Sequence, residues 1–123
     1  KGVKYIWGGK TFKGIDCSAL IQVCLNFNNK FCPRDSGQQE KFFFRKVSLK
    51  KIKKNDIIYW KGHVAVALSN KNLIHAYGPR KKTIIMNIQK TIKEMIVLVV
   101  NQDLILIQKM MKMNFIMLQV IPE

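Results

Sequence analysis

Residues 56–77 read DIIYWKGHVAVALSNKNLIHAY, and this stretch decides the fold. Its hydrophobicity has a period near two, and β-branched and aromatic residues dominate, which is the pattern of strands. Lys61-Gly62 and Ser69-Asn70-Lys71 supply turn chemistry between the runs. The spacing therefore predicts antiparallel strands at 56–60, 63–68 and 72–77, and a fourth at 83–88 after the Gly78-Pro79-Arg80 turn. Upstream the period changes. Behind Asp16, the residues Ala19, Leu20, Val23, Cys24 and Phe27 follow a three-four spacing that Asn28-Asn29 close, the pattern of a helix. Ser36-Gly37-Gln38-Gln39-Glu40 reads as the capped start of a shorter helix ending near Phe44. Gly8-Gly9 and Gly14 mark loops around Tyr5-Ile6-Trp7. Helices followed by an antiparallel meander make an α+β domain, with N-terminal helices packed on a sheet of about five strands.

The chain has 123 residues, room for one domain, and 48% of them are apolar, enough for a core. Its longest uninterrupted apolar run, residues 95–100, is far too short for a membrane span. Three cysteines, an odd number at unpaired spacings, build neither a disulfide framework nor zinc knuckles. The formal charge of +15 would ordinarily suggest a polyanionic partner. Lysine outnumbers arginine nineteen to three, however, and isoleucine and asparagine are abundant, a bias that an AT-rich genome imposes on any protein. The lysines are scattered as solvated faces, without the arginine and exposed aromatics of a nucleic-acid reader, so no nucleic-acid partner is expected.

The composition breaks near residue 93. Residues 1–93 carry 20 basic and 4 acidic residues, residues 94–123 carry 2 and 3, and five of the six methionines lie beyond Glu94. We expect a domain over 1–93 and a C-terminal extension over 94–123. Within that extension 104–107 reads as a strand, and 110–121 suits strand or helix equally. The chain begins at Lys1 rather than Met, which leaves room for an export signal or an upstream module; the compartment is open.

Chemistry concentrates around Asp16-Cys17-Ser18. A cysteine opening a helix feels the partial positive charge of free backbone N–H groups, which favours thiolate, and the same groups can receive an oxyanion. Cys24, seven residues on, reads as a buried small hydrophobe, and Cys32 beside Pro33 has no recognisable partner. The chain has two histidines, His63 opening one strand and His75 near the end of the next. Antiparallel neighbours can bring these side by side, which with Cys17 suits a nucleophile, a base and a residue that orients the base; two unrelated surface or core histidines are the plain alternative.

Six blocks then occur in order: Tyr5-Ile6-Trp7-Gly8-Gly9, Gly14 through Leu20, Pro33-Arg34-Asp35-Ser36 with Gln39, Asn55 through Ile58, Gly62-His63-Val64-Ala65 and Ile74-His75-Ala76. Together they resemble the NlpC-type papain-like cysteine peptidases of bacterial cell-wall metabolism, from about Lys4 to Pro79 and more loosely to residue 92. The resemblance implies a papain-like fold and hydrolysis of murein stem peptides, in many members at the γ-D-glutamyl–diamino acid bond. Cys17 would be the nucleophile, His63 the general base, and His75 the residue holding the His63 ring. Tyr5 would lie near the oxyanion, Asp16 would hold the free ammonium of an N-terminal L-alanine, and Ser18 and Ser36 would contact substrate. Asp16 and Ser36 are equally readable as helix caps, and Tyr5 as packing. Ala19 and Asn55 stand where the family usually has glycine; both are small or turn-tolerant substitutions.

The resemblance implies no cofactor or metal, and it allows small wall-binding β-barrel modules N-terminal to this chain. Two other readings compete. Cys17, His63 and His75 are permissible zinc ligands, although their spacing fits no zinc motif. A non-catalytic basic module for cell wall or nucleic acid is the other.

Overall fold

The alternation read from 56–77 produces a sheet buried on both faces. The computed structural model describes residues 2–43, 47–98 and 106–109. In chain order it contains a two-residue hairpin, β1 (Lys10–Thr11) and β2 (Gly14–Ile15), then helices α1 (Cys17–Phe27) and α2 (Ser36–Phe42). The strands β3 (Asp56–Trp60), β4 (His63–Ala67), β5 (Asn72–Tyr77) and β6 (Lys82–Asn87) follow, then helix α3 (Ile88–Leu98) and strand β7 (Leu106–Lys109). The last five strands form one antiparallel sheet in the order β6-β5-β4-β3-β7. The α+β architecture read from the sequence is therefore the one observed.

Side chains alternate between two cores, as the period of a strand requires. Ile57, Tyr59, Val64, Val66, Ile74 and Ala76 pack with Leu20, Ile21, Cys24 and Leu25 of α1. Ile58, Trp60, Ala65, Ala67, Leu73 and Tyr77 face the other way, against Ile88 and Met95 of α3 and Ile52. The β3–β4 connection has two residues, with Trp60 opposite His63. Gly62 takes φ +76° in it, a value that an L side chain reaches only with strain. Asn55, just before β3, has φ +76°; asparagine is the non-glycine residue best suited to that region.

The N-terminal strand of chain is stitched across the molecule. Lys4 bridges to Lys82 and Tyr5 to Ile15, which brings Tyr5 beside the start of α1. Gly9 has no room for a side chain: a Cβ there would meet the Gly14 carbonyl at 2.5 Å.

Several features depart from the sequence reading. The β1–β2 hairpin is too short to show alternation, and was read as loop. Ile88 is not the end of β6 but the first residue of α3, whose start is fixed by Asn87: its Oδ1 accepts from the Lys90 N–H at 3.0 Å. Helix α3 runs through residue 93, where the composition breaks. Glu94 is held by Arg80 at 3.0 Å, and β7, beyond it, pairs with β3. The strand expected at 104–107 thus appears as β7, two residues later. The stretch 110–121, like Phe44 at the expected end of the second helix, lies outside the described residues; α2 itself ends at Phe42.

Candidate active site

The start of α1 and the β3–β4 hairpin end meet along one cleft. Its volume is about 380 Å³, and its walls include Tyr5, Trp7, Asp16, Cys17, Arg34 and Ser36, with Gly62 at the hairpin. That size falls within the usual range for a small-ligand site. Trp7, 87% exposed, stands at its lip.

Cys17 is the first residue of α1 and is buried. The backbone N–H of Val64, the residue after His63, points at its sulfur. The expected bias toward thiolate is not what the resting site provides. Burial pushes the Cys17 thiol above its ordinary value; N–H groups at Val64, Ser18 and Cys17 pull the other way, and the Asp16 carboxylate adds to the rise. Desolvation wins over the helix terminus. Cys24 and Cys32 are pushed up to about 12 by burial, so Cys17 remains the most acidic of the three thiols. All three are free.

The histidines meet directly. His63 Nε2 and His75 Nδ1 are 2.8 Å apart, both rings are buried, and Trp60 and Tyr77 close over them. The His75 ring stacks on Tyr77 at 4.3 Å and 16°, and the His63 ring lies 5.5 Å from the Trp60 and Tyr77 rings. Burial pulls His63 down to about 4. It pulls His75 down as well, with the neighbouring His63 and Arg80 charges adding to the effect. Both imidazoles are therefore neutral in the resting protein near pH 7. His75 Nε2 faces the Met86 sulfur at 3.2 Å. Cys17 is brought to the same strand end by the Val64 N–H rather than by a bond to the ring. With their facing nitrogens spent on each other, the histidines do not converge on one ion. Among the described residues no group of three His, Cys, Asp or Glu side chains could hold a metal.

Asp16 is the densest node. Its Oδ1 accepts from Ala19 N–H at 2.8 Å, Ser18 Oγ at 3.2 Å and Arg34 Nη1 at 3.0 Å. Its Oδ2 accepts from Gly8 N–H at 3.0 Å and Arg34 Nη2 at 2.9 Å. Burial alone would raise this carboxyl; the Arg34 guanidinium and the Ala19 and Gly8 N–H groups outweigh it and hold it below the usual range. Five donors fill a group with about four lone-pair directions. The expected ammonium contact thus finds both oxygens engaged, and the alternative role as cap of α1 is present. Arg34 Nη1 also donates to Ser18 Oγ at 2.9 Å, so Ser18 is held inside this cluster.

Tyr5 reaches the cleft with its hydroxyl raised above the ordinary phenol value by burial and then by the nearness of Cys17 and Asp16. Ser36 is the first residue of α2, whose cap position is Asp35. Two residues without an assigned role complete the frame. Arg34 stands in the Pro33-Arg34-Asp35-Ser36 block, where the sequence gives it no role of its own. Gln39, fully buried, donates from Nε2 to the Ser18 carbonyl at 3.0 Å and the Pro33 carbonyl at 2.9 Å, while its Oε1 accepts from Tyr59 OH at 3.3 Å. It pins α2 and β3 to the first turn of α1.

Residues 2–102 match the NlpC/P60 family. The chain is 35% identical over 72 residues to a dipeptidyl-peptidase 6 of Lysinibacillus sphaericus, covering 58% of this chain and 27% of that protein. It is 30% identical over 101 residues to a gamma-D-glutamyl-L-lysine dipeptidyl-peptidase of Bacillus subtilis, covering 76% and 34%. The chain thus spans between a quarter and about a third of the length of these relatives. Among solved structures, the NlpC/p60 domain of the peptidoglycan hydrolase SagA superposes with a TM-score of 0.64 at 32% identity, over 72% of this chain and 80% of that one.

Proposed function

The chain belongs to the NlpC/P60 family, and from that membership and the arrangement of Cys17, His63 and His75 we propose a cysteine peptidase that hydrolyses murein stem peptides. The observation that carries this reading is a buried thiol at a helix N-terminus beside a strand whose histidine is bonded at 2.8 Å to a second histidine. A single cysteine or histidine is ordinary core; this combination supports a nucleophile, a base and a residue that orients the base. The bond is the one after γ-D-glutamate, as the name of the Bacillus subtilis relative suggests.

In this mechanism His63 takes the Cys17 proton on Nδ1, the ring nitrogen not bonded to His75, as the sulfur attacks the scissile carbonyl carbon. The carbonyl oxygen becomes an oxyanion against the backbone N–H groups opening α1, with the Tyr5 hydroxyl as a further donor. Collapse expels the amine of the diamino acid, which receives the proton from His63 and leaves a thioester on Cys17. Water, deprotonated by His63, then attacks the thioester, and the thiol leaves with its proton restored. Asp16 shapes the cleft by holding Arg34 and Ser18, and Trp7 and Ser36 border the peptide.

The test is product analysis. Incubating the protein with L-Ala-γ-D-Glu-diaminopimelate peptides should release L-Ala-γ-D-Glu, read by mass, insensitive to a strong chelator and abolished by thiol alkylation or Cys17→Ala. Intact muropeptides with an active, folded Cys17 would overturn the proposal. A steep salt dependence of wall binding retained by Cys17→Ala would favour the binding-module reading instead.

A further inference from the structure

We infer that Met86 sets the tautomers of the histidine pair and so keeps the proton-accepting nitrogen of His63 free, making Met86 a positioning residue for the base. The inference deepens the peptidase reading and rests on it for its catalytic consequence. Its structural part stands alone.

Two contacts fix the tautomers by elimination. A thioether sulfur has lone pairs and no proton, so it only accepts. The 3.2 Å contact between His75 Nε2 and Met86 Sδ is therefore a hydrogen bond only when Nε2 carries the proton. A neutral imidazole has one N–H, so His75 Nδ1 then has a lone pair. Across the 2.8 Å contact the donor must be His63 Nε2. His63, neutral in turn, is left with an unprotonated Nδ1, the atom that the proposed mechanism needs. The opposite setting, with the proton on His75 Nδ1, would place a bare Nε2 against a bare sulfur and protonate His63 on Nδ1, and the base would be blocked.

The fold holds Met86 for this. It lies on β6 directly opposite Leu73 of β5, two residues from His75 along that strand, within diagonal reach across the ladder. His75 is fully buried and Met86 nearly so, at 7%, so water does not compete for His75 Nε2. Tyr77, stacked on His75, fixes the plane in which that nitrogen points. A leucine or isoleucine would fill the same apolar space; the sulfur alone supplies an acceptor.

The experiment reads tautomers directly. In uniformly ¹⁵N-labelled protein near pH 7, two-bond ¹H–¹⁵N correlations of the two histidines should show both rings protonated on Nε2. Met86→Leu should keep the fold and shift part of the His75 population to Nδ1–H, with His63 following to its own Nδ1–H form. Met86→Gln, whose amide oxygen accepts, should restore the native tautomers. With a cleavable stem peptide, kcat/KM should fall about three- to tenfold in Met86→Leu, the range of one neutral hydrogen bond, and recover in Met86→Gln. Native spectra showing His75 protonated on Nδ1, or unchanged tautomers in Met86→Leu, would overturn the inference. Native tautomers as expected but no peptide hydrolysis by the native protein would instead overturn the peptidase reading and leave the tautomer assignment intact.

Discussion

Asp16→Asn separates two roles for the carboxylate next to Cys17. In the structure the side chain accepts five hydrogen bonds, two of them from the Arg34 guanidinium at 2.9 and 3.0 Å. Asparagine keeps one acceptor oxygen and turns the other position into a donor, which then opposes Arg34 together with either Gly8 N–H or Ala19 N–H. Losing a charge-assisted pair of this kind costs about 2–3 kcal/mol. At roughly 4 °C per kcal/mol for a domain of this size, the melting temperature should fall by about 8–12 °C. The same substitution removes a negative charge that raises the Cys17 thiol, so Cys17 should alkylate faster at neutral pH. If Asp16 instead held the ammonium of an N-terminal alanine, it would matter chiefly for substrates with a free amine. The assay is a cycle: kcat/KM of native and Asp16→Asn protein on a stem peptide and its N-acetylated form, beside thermal melts. With both oxygens engaged internally, the coupling between substitution and acetylation should stay under about twofold. A coupling of ten- to a hundredfold, the size of a charge-assisted contact, with an unshifted melting temperature would refute the saturated-carboxylate reasoning.

Cys17→Ala should lower hydrolysis by about 10⁴-fold or more with the melt unchanged, and Cys17 should alkylate before Cys24 and Cys32, read by peptide mapping. Because burial raises the Cys17 thiol, thiolate absorbance near 240 nm should be absent at pH 7 in the resting protein. His63→Ala should be nearly as damaging as Cys17→Ala. His75→Gln, which still offers His63 Nε2–H an acceptor, should outperform His75→Ala clearly in kcat/KM. The acid limb of kcat/KM should lie near 4 rather than at the ordinary histidine value, following the His63 shift. The stability sign follows from the same shift: the folded pKa is below the unfolded one of about 6.5, so the His63 contribution is complete above pH 6.5. It is lost progressively as pH falls from there to about 4, in total about 3 kcal/mol; a His63→Gln protein should show a shallower slope in denaturant titrations, the part due to the buried His75 remaining.

The sheet was legible because each strand's apolar run ends at a turn residue. Trp60 gives way to Lys61-Gly62, and the bounds of β3 and β5 follow to the residue. Helix α1 was legible from its cap and its three-four spacing. Helix α3 carried a comparable signal in Asn87, Ile88, Thr91, Ile92 and Met95, of which Ile88, Thr91 and Met95 are buried. It was missed because Ile88 also completes the alternation of β6, and the charge break at residue 93 read as a boundary. Strand β7 joins β3 across nearly fifty residues of chain, and no local pattern encodes such a partner. In the candidate site, Cys17, His63 and His75 stand out from sequence because the chain has few residues able to do the proposed chemistry. What surrounds them does not. Arg34, Gln39 and Met86 act through distances set by four different elements, and their residue types are common in roles without chemistry.

The protonation of the resting site carries the same lesson at the level of energetics. From sequence, a cysteine at a helix N-terminus beside a histidine implies an ion pair. The folded chain buries Cys17 in the core at the start of α1, closes Trp60 and Tyr77 around His63, and places Asp16 next to the sulfur. Desolvation opposes charge on both partners, raising the thiol and lowering the imidazole, so the proton rests on sulfur. The N–H groups of Val64, Ser18 and Cys17 are then held in place before any charge exists for them to stabilise. Such preorganised donors favour the state in which charge develops over the resting one. A site tuned to hold a standing thiolate would have placed the carboxylate elsewhere. Here Asp16 fixes Arg34, Ser18 and the first turn of α1 at the cost of a less acidic Cys17 thiol, and in the proposed mechanism the His63–His75–Met86 chain offsets this by keeping the accepting nitrogen open.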